Sequence, residues 1–321
     1  MVLVRNPGFL NLKLSPTQAS TTTFPCRFPI AAARTGSAIV TSNASNTVFA
    51  TDLDRINVLG SGNGGTVFKV RNKTNSEIYA LKKVKEYMDS AFRSQLLRET
   101  EIPRLVDSPY VVKCHEIFQN PLGEEVSILM EYMDLGTLES LRGEVVTEKQ
   151  LASMARQVLE GLNYLHELKI VHRDIKPGNL LRNSKEEIKI ADFGVSKIMV
   201  KSLDKCNSFT GTCAYMSPER LNSEADGVTE EDKSNVYAGD IWSYGLTMVE
   251  MLVGYFPLLP QGHKPDRATI ICAVCFGEPP KAPEECSDEL KSFIDCCLRK
   301  KPSERWTASQ LLSHPFLVHR D

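Results

Sequence analysis

Four polar side chains within one short stretch have the types and spacing that phosphoryl transfer needs. In "HRDIKPGN" (172–179), Asp174 is followed two residues later by the cation Lys176 and then by Asn179, and "ADFG" supplies Asp192. The carboxylate of Asp174 can orient an acceptor hydroxyl and take its proton, and a nearby cation can neutralise charge on the migrating phosphoryl group. Oxygen donors from Asn179 and Asp192 suit Mg²⁺, which prefers oxygen ligands.

A glycine-rich segment upstream has the spacing of a phosphate-binding loop. "LGSGNGGTV" (59–67) contains G-x-G-x-x-G. Alone, this spacing also marks dinucleotide-binding folds, in which the glycines open a helix. Here β-branched and aromatic residues follow, so the segment is predicted to turn into a second strand and form a hairpin lid over phosphates. A plain glycine-rich hairpin is the alternative that the segment alone leaves open.

A lysine on an apolar strand is the next candidate. Lys82 lies in "YALKKV", and a lysine held there needs an anionic partner. Glu99, on a helix predicted at about 88–105, is the expected counter-ion that would hold Lys82 against the α- and β-phosphates. Glu101 is a rival, but it lies about 200° around the helix from Glu99, so both cannot face the lysine. Pro103 is predicted to end or kink this helix and so to loosen the pair, because proline clashes with the carbonyl four residues back.

These residues need elements that bring distant segments together. From about 53 to 130 the pattern predicts short strands rich in Val, Ile and Tyr, broken by one helix. From 135 onward helices dominate, and the clearest, at 147–166, has one apolar face and begins with the capping-box sequence T-E-K-Q. Strands followed by helices indicate an α+β protein with two unequal lobes and a pivot near 130–136. We expect a small β-rich N-terminal lobe with one key helix and a larger, mainly α-helical C-terminal lobe.

The composition argues against a nucleic-acid binder and against a membrane protein. The 321 residues are 42% hydrophobic and 24% charged, with a formal net charge of −2. A dedicated nucleic-acid binder is usually basic, and the longest apolar runs are far too short to span a bilayer. Neither nucleic acid nor membrane is therefore an expected partner.

The nine cysteines are scattered through a chain without a secretory signal, which favours small buried side chains over disulfides. Cys272 and Cys275 form a C-x-x-C, and Cys296 with Cys297 would have to complete a zinc set. Both pairs lie in apolar segments predicted to be helical, without the glycine-rich knuckle of zinc ribbons. Zinc is therefore the less favoured interpretation.

The N-terminal segment differs from the rest of the chain. Residues 1–50 contain no Asp or Glu, four basic residues and many Ser and Thr. Such a segment cannot bury enough apolar area to offset the entropy of ordering, so residues 1–52 are predicted to be a disordered tail. The same composition also fits an organellar transit peptide, which makes a plastid location the alternative to the cytoplasm and nucleus.

Taken together, the motifs resemble the eukaryotic protein kinase family over about 53–318. They follow that family's order of glycine-rich loop, strand lysine, HRD and DFG, and "SPER" matches its A-P-E element with Ser for Ala. The resemblance implies that Glu219 of this element pairs with Arg305 and that Asp240, in "DIWSYG", braces the catalytic loop. His172 is expected to be a packed structural residue rather than a catalyst.

The kinase resemblance also implies an N-lobe of about 53–132, a C-lobe of about 133–318, ATP as phosphoryl donor and Mg²⁺ as metal. The catalytic residues would then be Asp174, Lys176 and Lys82, and the metal ligands Asn179 and Asp192. The predicted nucleotide-binding residues lie on the glycine-rich hairpin, the lysine strand, the following helix and the pivot: Leu59, Gly60, Ser61, Gly62, Asn63, Gly64, Gly65, Thr66, Val67, Ala80, Lys82, Glu99, Glu131 and Met133.

Longer segments resemble mitogen-activated protein kinase kinases (MAPKKs), specifically those of plants. The segments are "DSPYVVKC", "ILMEYMDLGTLESL", "HRDIKPGNLL", "KIADFGVSKIM" and "GTCAYMSPERL", and the S-x5-S spacing from Ser202 to Ser208 indicates the plant group. Such enzymes phosphorylate the Thr and the Tyr of a T-x-Y loop in a MAP kinase and are activated by a MAPKK kinase. The resemblance therefore implies a monomeric dual-specificity Ser/Thr/Tyr protein kinase with these two proteins as partners.

Residues 202–217, between DFG and SPE, are predicted to be the activation segment. They lack helical and strand periodicity, as expected of a segment that must switch between arrangements. Ser202 and Ser208 are the predicted phosphorylation sites. Arg173 is the expected partner of the added phosphate.

A docking motif is predicted at about 5–14, where Leu10, Leu12 and Leu14 could fill pockets on a partner's groove. In the MAPKK family this motif joins a basic cluster to L-x-L, whereas here only Arg5 and Lys13 are basic. Docking is therefore expected to be weak or altered in specificity.

Two other functions are alternatives to a MAPKK. A pseudokinase scaffold would lack one of the lysine, base or metal residues, all of which are present here. A Ser/Thr kinase of a neighbouring group would keep these residues but act on another substrate.

Overall fold

The computed structural model describes residues 48–62, 65–85, 103–119, 125–144, 146–192, 212–221, 235–259 and 266–318. Several predictions fall outside these residues: the N-terminal tail with the docking leucines, the counter-ion of Lys82, two residues of the glycine-rich loop, and the phosphorylation sites. The residues concerned are Leu10, Leu12, Leu14, Asn63, Gly64, Glu99, Ser202 and Ser208.

The N-terminal lobe is built on a five-stranded antiparallel sheet, in the order β1-β2-β3-β5-β4. Its strands are β1 (Leu53–Gly62), β2 (Gly65–Asn72), β3 (Ile78–Lys85), β4 (Cys114–Gln119) and β5 (Glu125–Glu131). Alternate residues of the central strands pack on opposite faces, as period-two patterning requires. One face carries Phe68, Val70, Tyr79, Leu81 and Leu129, and the other carries Val84, Val126 and Ile128. The predicted strands are confirmed.

Between β3 and β4 the chain is helical at residues 103–105, and residues 86–102 lie outside the described part. Pro103 is buried and belongs to this helical turn. Proline is tolerated in the first turn of a helix, because its φ suits a helix and its missing N–H needs no partner there. The predicted end or kink of the helix at Pro103 concerns residues outside the described part and stays a prediction.

The C-terminal lobe is mainly helical. Its helices within the described residues are α1 (Glu148–Glu167), α2 (Pro218–Leu221), α3 (Ala238–Val253), α4 (Arg267–Cys275), α5 (Asp288–Cys297), α6 (Ala308–Leu312) and α7 (Pro315–Val318). The 3-10 segments described in the two lobes are Ala50–Asp52, Leu138–Leu141, Pro177–Asn179, Thr212–Tyr215 and Pro302–Glu304. A small antiparallel pair, β6 (Leu180–Arg182) with β7 (Ile188–Ile190), flanks the catalytic loop. The α+β bilobal fold predicted from the sequence is confirmed.

Helix α1 shows how the sequence determines the core of this lobe. Thr147 caps it, because the Thr147 hydroxyl accepts the Gln150 N–H at 3.2 Å and the Gln150 side chain accepts the Thr147 N–H at 3.0 Å. Leu151, Val158 and Leu162 on its apolar face are fully buried. Helix α3 is buried nearly all round and packs against α1 and α5. Among the described helices, none is long and apolar enough to cross a bilayer.

Candidate active site

Asp240, at the start of α3, anchors the catalytic loop. Its two carboxylate oxygens accept the backbone N–H groups of His172 at 2.8 Å and Arg173 at 2.7 Å, and His166 Nε2 lies 3.0 Å away. Burial would raise the pKa of Asp240, but His166, His172 and the hydrogen bond from the Arg173 N–H together outweigh it and the pKa is lowered. A charged Asp240 therefore fixes the loop, which confirms the predicted brace.

His172 joins the catalytic loop to the strand that ends at Asp192. Its side chain is buried, its Nδ1 accepts the Asp174 N–H at 3.2 Å, and its Nε2 lies 2.9 Å from the carbonyl oxygen of Ala191. Because Nδ1 accepts, Nε2 carries the proton and donates to Ala191. His172 is thus a packed structural residue, as predicted.

The side chain of Asp174 lies between an ammonium and an amide group. Lys176 Nζ is 2.8 Å and 3.0 Å from its two carboxylate oxygens. The amide nitrogen of Asn179 donates to the Asp174 side chain at 2.8 Å and to its carbonyl at 2.7 Å. These contacts hold the carboxylate in one orientation and place a positive charge beside it. That arrangement suits a group that orients a hydroxyl and accepts its proton.

The donors present fit Mg²⁺ held jointly with a nucleotide. Within the described residues, the side chain of Asn179 makes two hydrogen bonds, both donated by its amide nitrogen, and this leaves its amide oxygen as a ligand atom for a cation. Asp192 supplies a carboxylate. No group of three or more His, Cys, Asp or Glu side chains that could hold a metal occurs in the described stretches. Mg²⁺ characteristically takes one or two protein oxygens and completes its shell with phosphates and water, which matches this sparse set.

Lys82 pairs with Asp192 within the described residues. Lys82 Nζ lies 2.7 Å from a carboxylate oxygen of Asp192, and the lysine side chain is only 6% exposed. Desolvation raises the pKa of Asp192, but the Lys82 ammonium outweighs it and the pKa is lowered. Asp192 has a positive φ of 63°, a conformation that is costly for a side chain other than glycine and that concentrates at functional sites. The predicted pairing of Lys82 with Glu99 lies outside the described part.

The glycine-rich segment is a β-hairpin, as predicted, with Gly62 opposite Gly65. A side chain at Gly65 is not tolerated, because its φ is +111° and a Cβ would lie 2.1 Å from the Lys83 carbonyl oxygen. The hydroxyls of Ser61 and Thr66 are 3.1 Å apart across the hairpin. The structure places the predicted residues Leu59, Gly60, Ser61, Gly62, Gly65, Thr66 and Val67 on this hairpin.

The hairpin leads into the strand that carries Lys82. Val67 is paired with Lys82 across β2 and β3. Ala80 lies on the same face of β3 as Lys82, because side chains two apart on a strand point to one side. The structure therefore brings the lid, the apolar position at Ala80 and the lysine together.

The pivot between the lobes carries Glu131 and Met133. The Glu131 carboxylate accepts the Lys113 N–H at 2.7 Å and lies 2.7 Å from Lys189 Nζ on β7. Its side chain therefore links the pivot to the C-terminal lobe. The Met133 carbonyl accepts the Gly136 N–H. Within the part of the chain described, the Met133 backbone N–H has no hydrogen-bond partner. The Met133 N–H can therefore donate a hydrogen bond to a nucleotide base or to another ligand at the pivot.

Glu219 and Arg305 form the ion pair that the kinase resemblance implies. Two guanidinium nitrogens of Arg305 lie 2.7 Å and 2.8 Å from the two Glu219 oxygens, and Arg305 also donates to the Ala238 carbonyl. The side chains are 0% and 11% exposed. Burial would raise the pKa of Glu219, but Arg305 outweighs it and lowers the pKa. The pair fastens α2, directly after the activation segment, to the end of the domain.

Replacing Arg305 with methionine should destabilise the protein by about 3–5 kcal/mol, because it leaves the Glu219 carboxylate buried without its partner. Thermal unfolding measures the effect. Because Arg305 holds the pKa of Glu219 below its ordinary value of about 4.5, the stability difference between wild type and variant should be present above that pH and lost as pH falls through the lowered pKa.

The control is Arg299→Met, whose ion pair with Asp295 is about half exposed. It should cost less than about 1 kcal/mol. Equal losses for the Arg305 and Arg299 variants would show that the buried pair has no special role.

A second charged network was missed by sequence reasoning. Arg142 Nε donates to Glu250 at 2.6 Å, Arg142 also contacts Glu139, and the Tyr215 hydroxyl donates to Glu250 at 2.5 Å. Burial raises the pKa of Tyr215, and Glu250 adds to the effect. The available signal was Glu250 itself, a lone carboxylate in the apolar run "TMVEMLV", which must find a cation when buried.

The two cysteine pairs considered for zinc lie on different helices. Cys272 and Cys275 belong to α4, and Cys296 and Cys297 end α5. All four are free thiols.

Comparison with known proteins agrees with this geometry. The model of the protein kinase domain matches residues 53–317. The chain is 76% identical to mitogen-activated protein kinase kinase 8 of Arabidopsis thaliana over the full length of both proteins. It is 63% identical to mitogen-activated protein kinase kinase 9 over 99% of each chain, and 65% identical to mitogen-activated protein kinase kinase 7 over 85% of this chain and 87% of that one, both from Arabidopsis thaliana. The chain therefore belongs to the protein kinase family and, within it, to the plant mitogen-activated protein kinase kinases.

Proposed function

We propose that this MAPKK transfers the γ-phosphoryl group of ATP to both the Thr and the Tyr of a T-x-Y loop in a MAP kinase. The observation that supports it most is the arrangement of Asp174 between Lys176 and Asn179, next to the Lys82–Asp192 pair. Every group that the reaction needs is present, so the scaffold alternative is not favoured. The similarity to proteins named mitogen-activated protein kinase kinases supports the substrate class.

Each residue has a separate part in this reaction. Asp174 orients the acceptor hydroxyl and receives its proton, and Lys176 neutralises charge on the phosphoryl group in flight. Lys82 holds the α- and β-phosphates. Asn179 and Asp192 would hold Mg²⁺, which when bound neutralises the phosphate oxygens.

A substrate screen tests this proposal. The protein with Ser202→Asp and Ser208→Asp, which imitate phosphorylation, is incubated with Mg-ATP and a panel of MAP kinases made inactive by substitution. We expect transfer to one or a few MAP kinases and much less to a generic peptide. Transfer to none of the proteins would favour a scaffold, and transfer mainly to the peptide would favour a kinase with another substrate.

We further propose that Ser202 and Ser208 control activity and that Arg173 receives the phosphate. Arg173 is held beside Asp174, since Asp240 accepts its N–H and the Arg220 guanidinium donates to its carbonyl at 3.0 Å. A phosphate adds about −1.5 to −2 charge and would pair with such a guanidinium.

The Ser202→Ala, Ser208→Ala double variant should not be activated by an upstream MAPKK kinase, because no phosphate would form to order the segment. The rate of MAP kinase phosphorylation measures this. As a control, Ser140→Ala, at an exposed hydroxyl outside the activation segment, should be activated normally. Full activation of the double variant would contradict the assignment.

The N-terminal leucines are proposed to dock the MAP kinase. Leu12→Ala combined with Leu14→Ala should reduce MAP kinase phosphorylation while sparing a generic peptide, because only the protein substrate offers a groove. Parallel rate measurements on the two substrates test this. Equal loss on both, or loss on neither, would exclude docking by these residues.

A further inference from the structure

Helix α4 carries two cysteines that phosphoryl transfer does not use. Cys272 is exposed, and Cys275, one turn later, is partly buried. Burial raises the pKa of the Cys275 thiol, Lys300 opposes this and the neighbouring Cys272 adds to it. Because Cys275 is protonated at neutral pH and Cys272 is accessible, Cys272 is the thiol that an oxidant reaches first.

The last turn of α4 favours an approach of these two side chains. The Phe276 N–H bonds to the carbonyls of Cys272 and Ala273, and the Gly277 N–H bonds to the same two carbonyls. The Gly277 bond to Cys272 and the Phe276 bond to Ala273 are the bonds of a helix C-cap, so α4 ends directly after Cys275. Cβ atoms three residues apart in a regular α-helix are about 5–6 Å apart, and a disulfide needs about 3.5–4.5 Å. Because helix ends fray, a local rearrangement of the last turn can bring the Cys275 side chain that much closer to Cys272.

A movement of the Cys275 side chain would affect α2, the helix that follows the activation segment. Cys275 Sγ lies 3.9 Å from the carbonyl oxygen of Pro218, the first residue of α2. Helices α4 and α2 pack directly against each other. Helix α2 also carries Glu219, which Arg305 fastens to the end of the domain. Drawing the Cys275 sulfur towards Cys272 removes its contact with α2.

We propose that Cys272 and Cys275 form a reversible disulfide with hydrogen peroxide as oxidant, and that this disulfide shifts α2 and slows phosphorylation of the protein substrate. Peroxide converts the Cys272 thiol to a sulfenic acid and is reduced to water. The Cys275 thiol loses its proton as its sulfur attacks the sulfenic sulfur, so that the S–S bond forms and the S–O bond breaks. The departing hydroxide takes up that proton and leaves as a second water. A dithiol reductant restores both thiols.

Peptide mass tests the disulfide independently of any substrate. Trypsin releases residues 268–281, which contain Cys272 and Cys275 and no other cysteine. After treatment of the full chain with hydrogen peroxide and alkylation of free thiols, this peptide should have lost two hydrogens and taken up no alkylating agent. Two alkylated thiols, or added oxygen atoms in place of lost hydrogens, would overturn the disulfide.

The effect on activity rests on the proposed function and is measured in the same sample. Phosphorylation of an inactive MAP kinase should fall several-fold after peroxide and recover with dithiothreitol, while nucleotide affinity is unchanged. Cys272→Ser should resist inactivation, and Cys296→Ser, which removes a partly buried cysteine of α5, should respond as the wild type does. Equal inactivation of Cys272→Ser, or a formed disulfide without loss of rate, would overturn the coupling to α2. If no MAP kinase is phosphorylated before peroxide is added, the proposed function fails while the peptide mass still decides the disulfide.

Discussion

Replacing Asp174 with asparagine should lower kcat for MAP kinase phosphorylation by about 10²- to 10⁴-fold, the usual contribution of a general base. The amide keeps the size of the carboxylate and can still accept a bond from Asn179, but it cannot take the proton of the acceptor hydroxyl. It also removes the negative charge that holds Lys176 at 2.8 Å. Initial rates at saturating ATP measure the loss. Nucleotide affinity, measured by titration with a fluorescent ATP analogue, should change little.

Asp288→Asn is the control for this substitution, because the Asp288 side chain is fully exposed and the chemical change is the same. It should leave kcat unchanged. A rate close to wild type for Asp174→Asn would contradict the role of general base. A loss confined to nucleotide affinity would assign Asp174 to binding instead.

Replacing Lys82 with methionine should lower kcat by about 10²- to 10³-fold, the cost typical of removing one preorganised charge-stabilising donor. Methionine fills a similar volume, and Lys82 borders a small cavity with the apolar side chains of Ile128 and Met130, so the fold should persist. The same change removes the ammonium that lowers the pKa of Asp192, so that pKa should rise. Steady-state kinetics with a MAP kinase substrate, with circular dichroism as a check of folding, measure the effect.

Lys83→Met is the matched control, since Lys83 is the next residue of β3 and points to the other face of the sheet. Lys83 pairs with Glu125 at 2.7 Å in a partly exposed site. Its replacement should cost no more than about 1 kcal/mol of stability and leave kcat unchanged. Similar kinetic losses for the two lysines would mean that Lys82 acts through the fold rather than through the phosphates.

Most of the fold could be predicted because the local signals agree with the tertiary structure. The period-two strands, the capping box at Thr147 and the apolar face of α1 each point to the element that forms. The resemblance to protein kinases also implied two contacts that the structure confirms, Glu219 with Arg305 and Asp240 with the catalytic loop. Each contact gives a buried charged group the partner that makes its burial tolerable.

The remaining contacts depend on geometry that a sequence does not display. Nothing in the spacing indicates that Arg142 reaches Glu250, because those residues are 108 positions apart and meet only when α3 packs against the lobe.

Phosphate mapping on one MAP kinase tests dual-specificity transfer most directly. The Ser202→Asp, Ser208→Asp protein is incubated with Mg-ATP and an inactive MAP kinase, and the T-x-Y peptide is isolated and sequenced by mass spectrometry. We predict a peptide phosphorylated on both Thr and Tyr, and none when Asp174→Asn is added to the kinase. Phosphate on Thr alone, phosphate only outside the loop, or a doubly phosphorylated peptide from the Asp174→Asn protein would contradict the account.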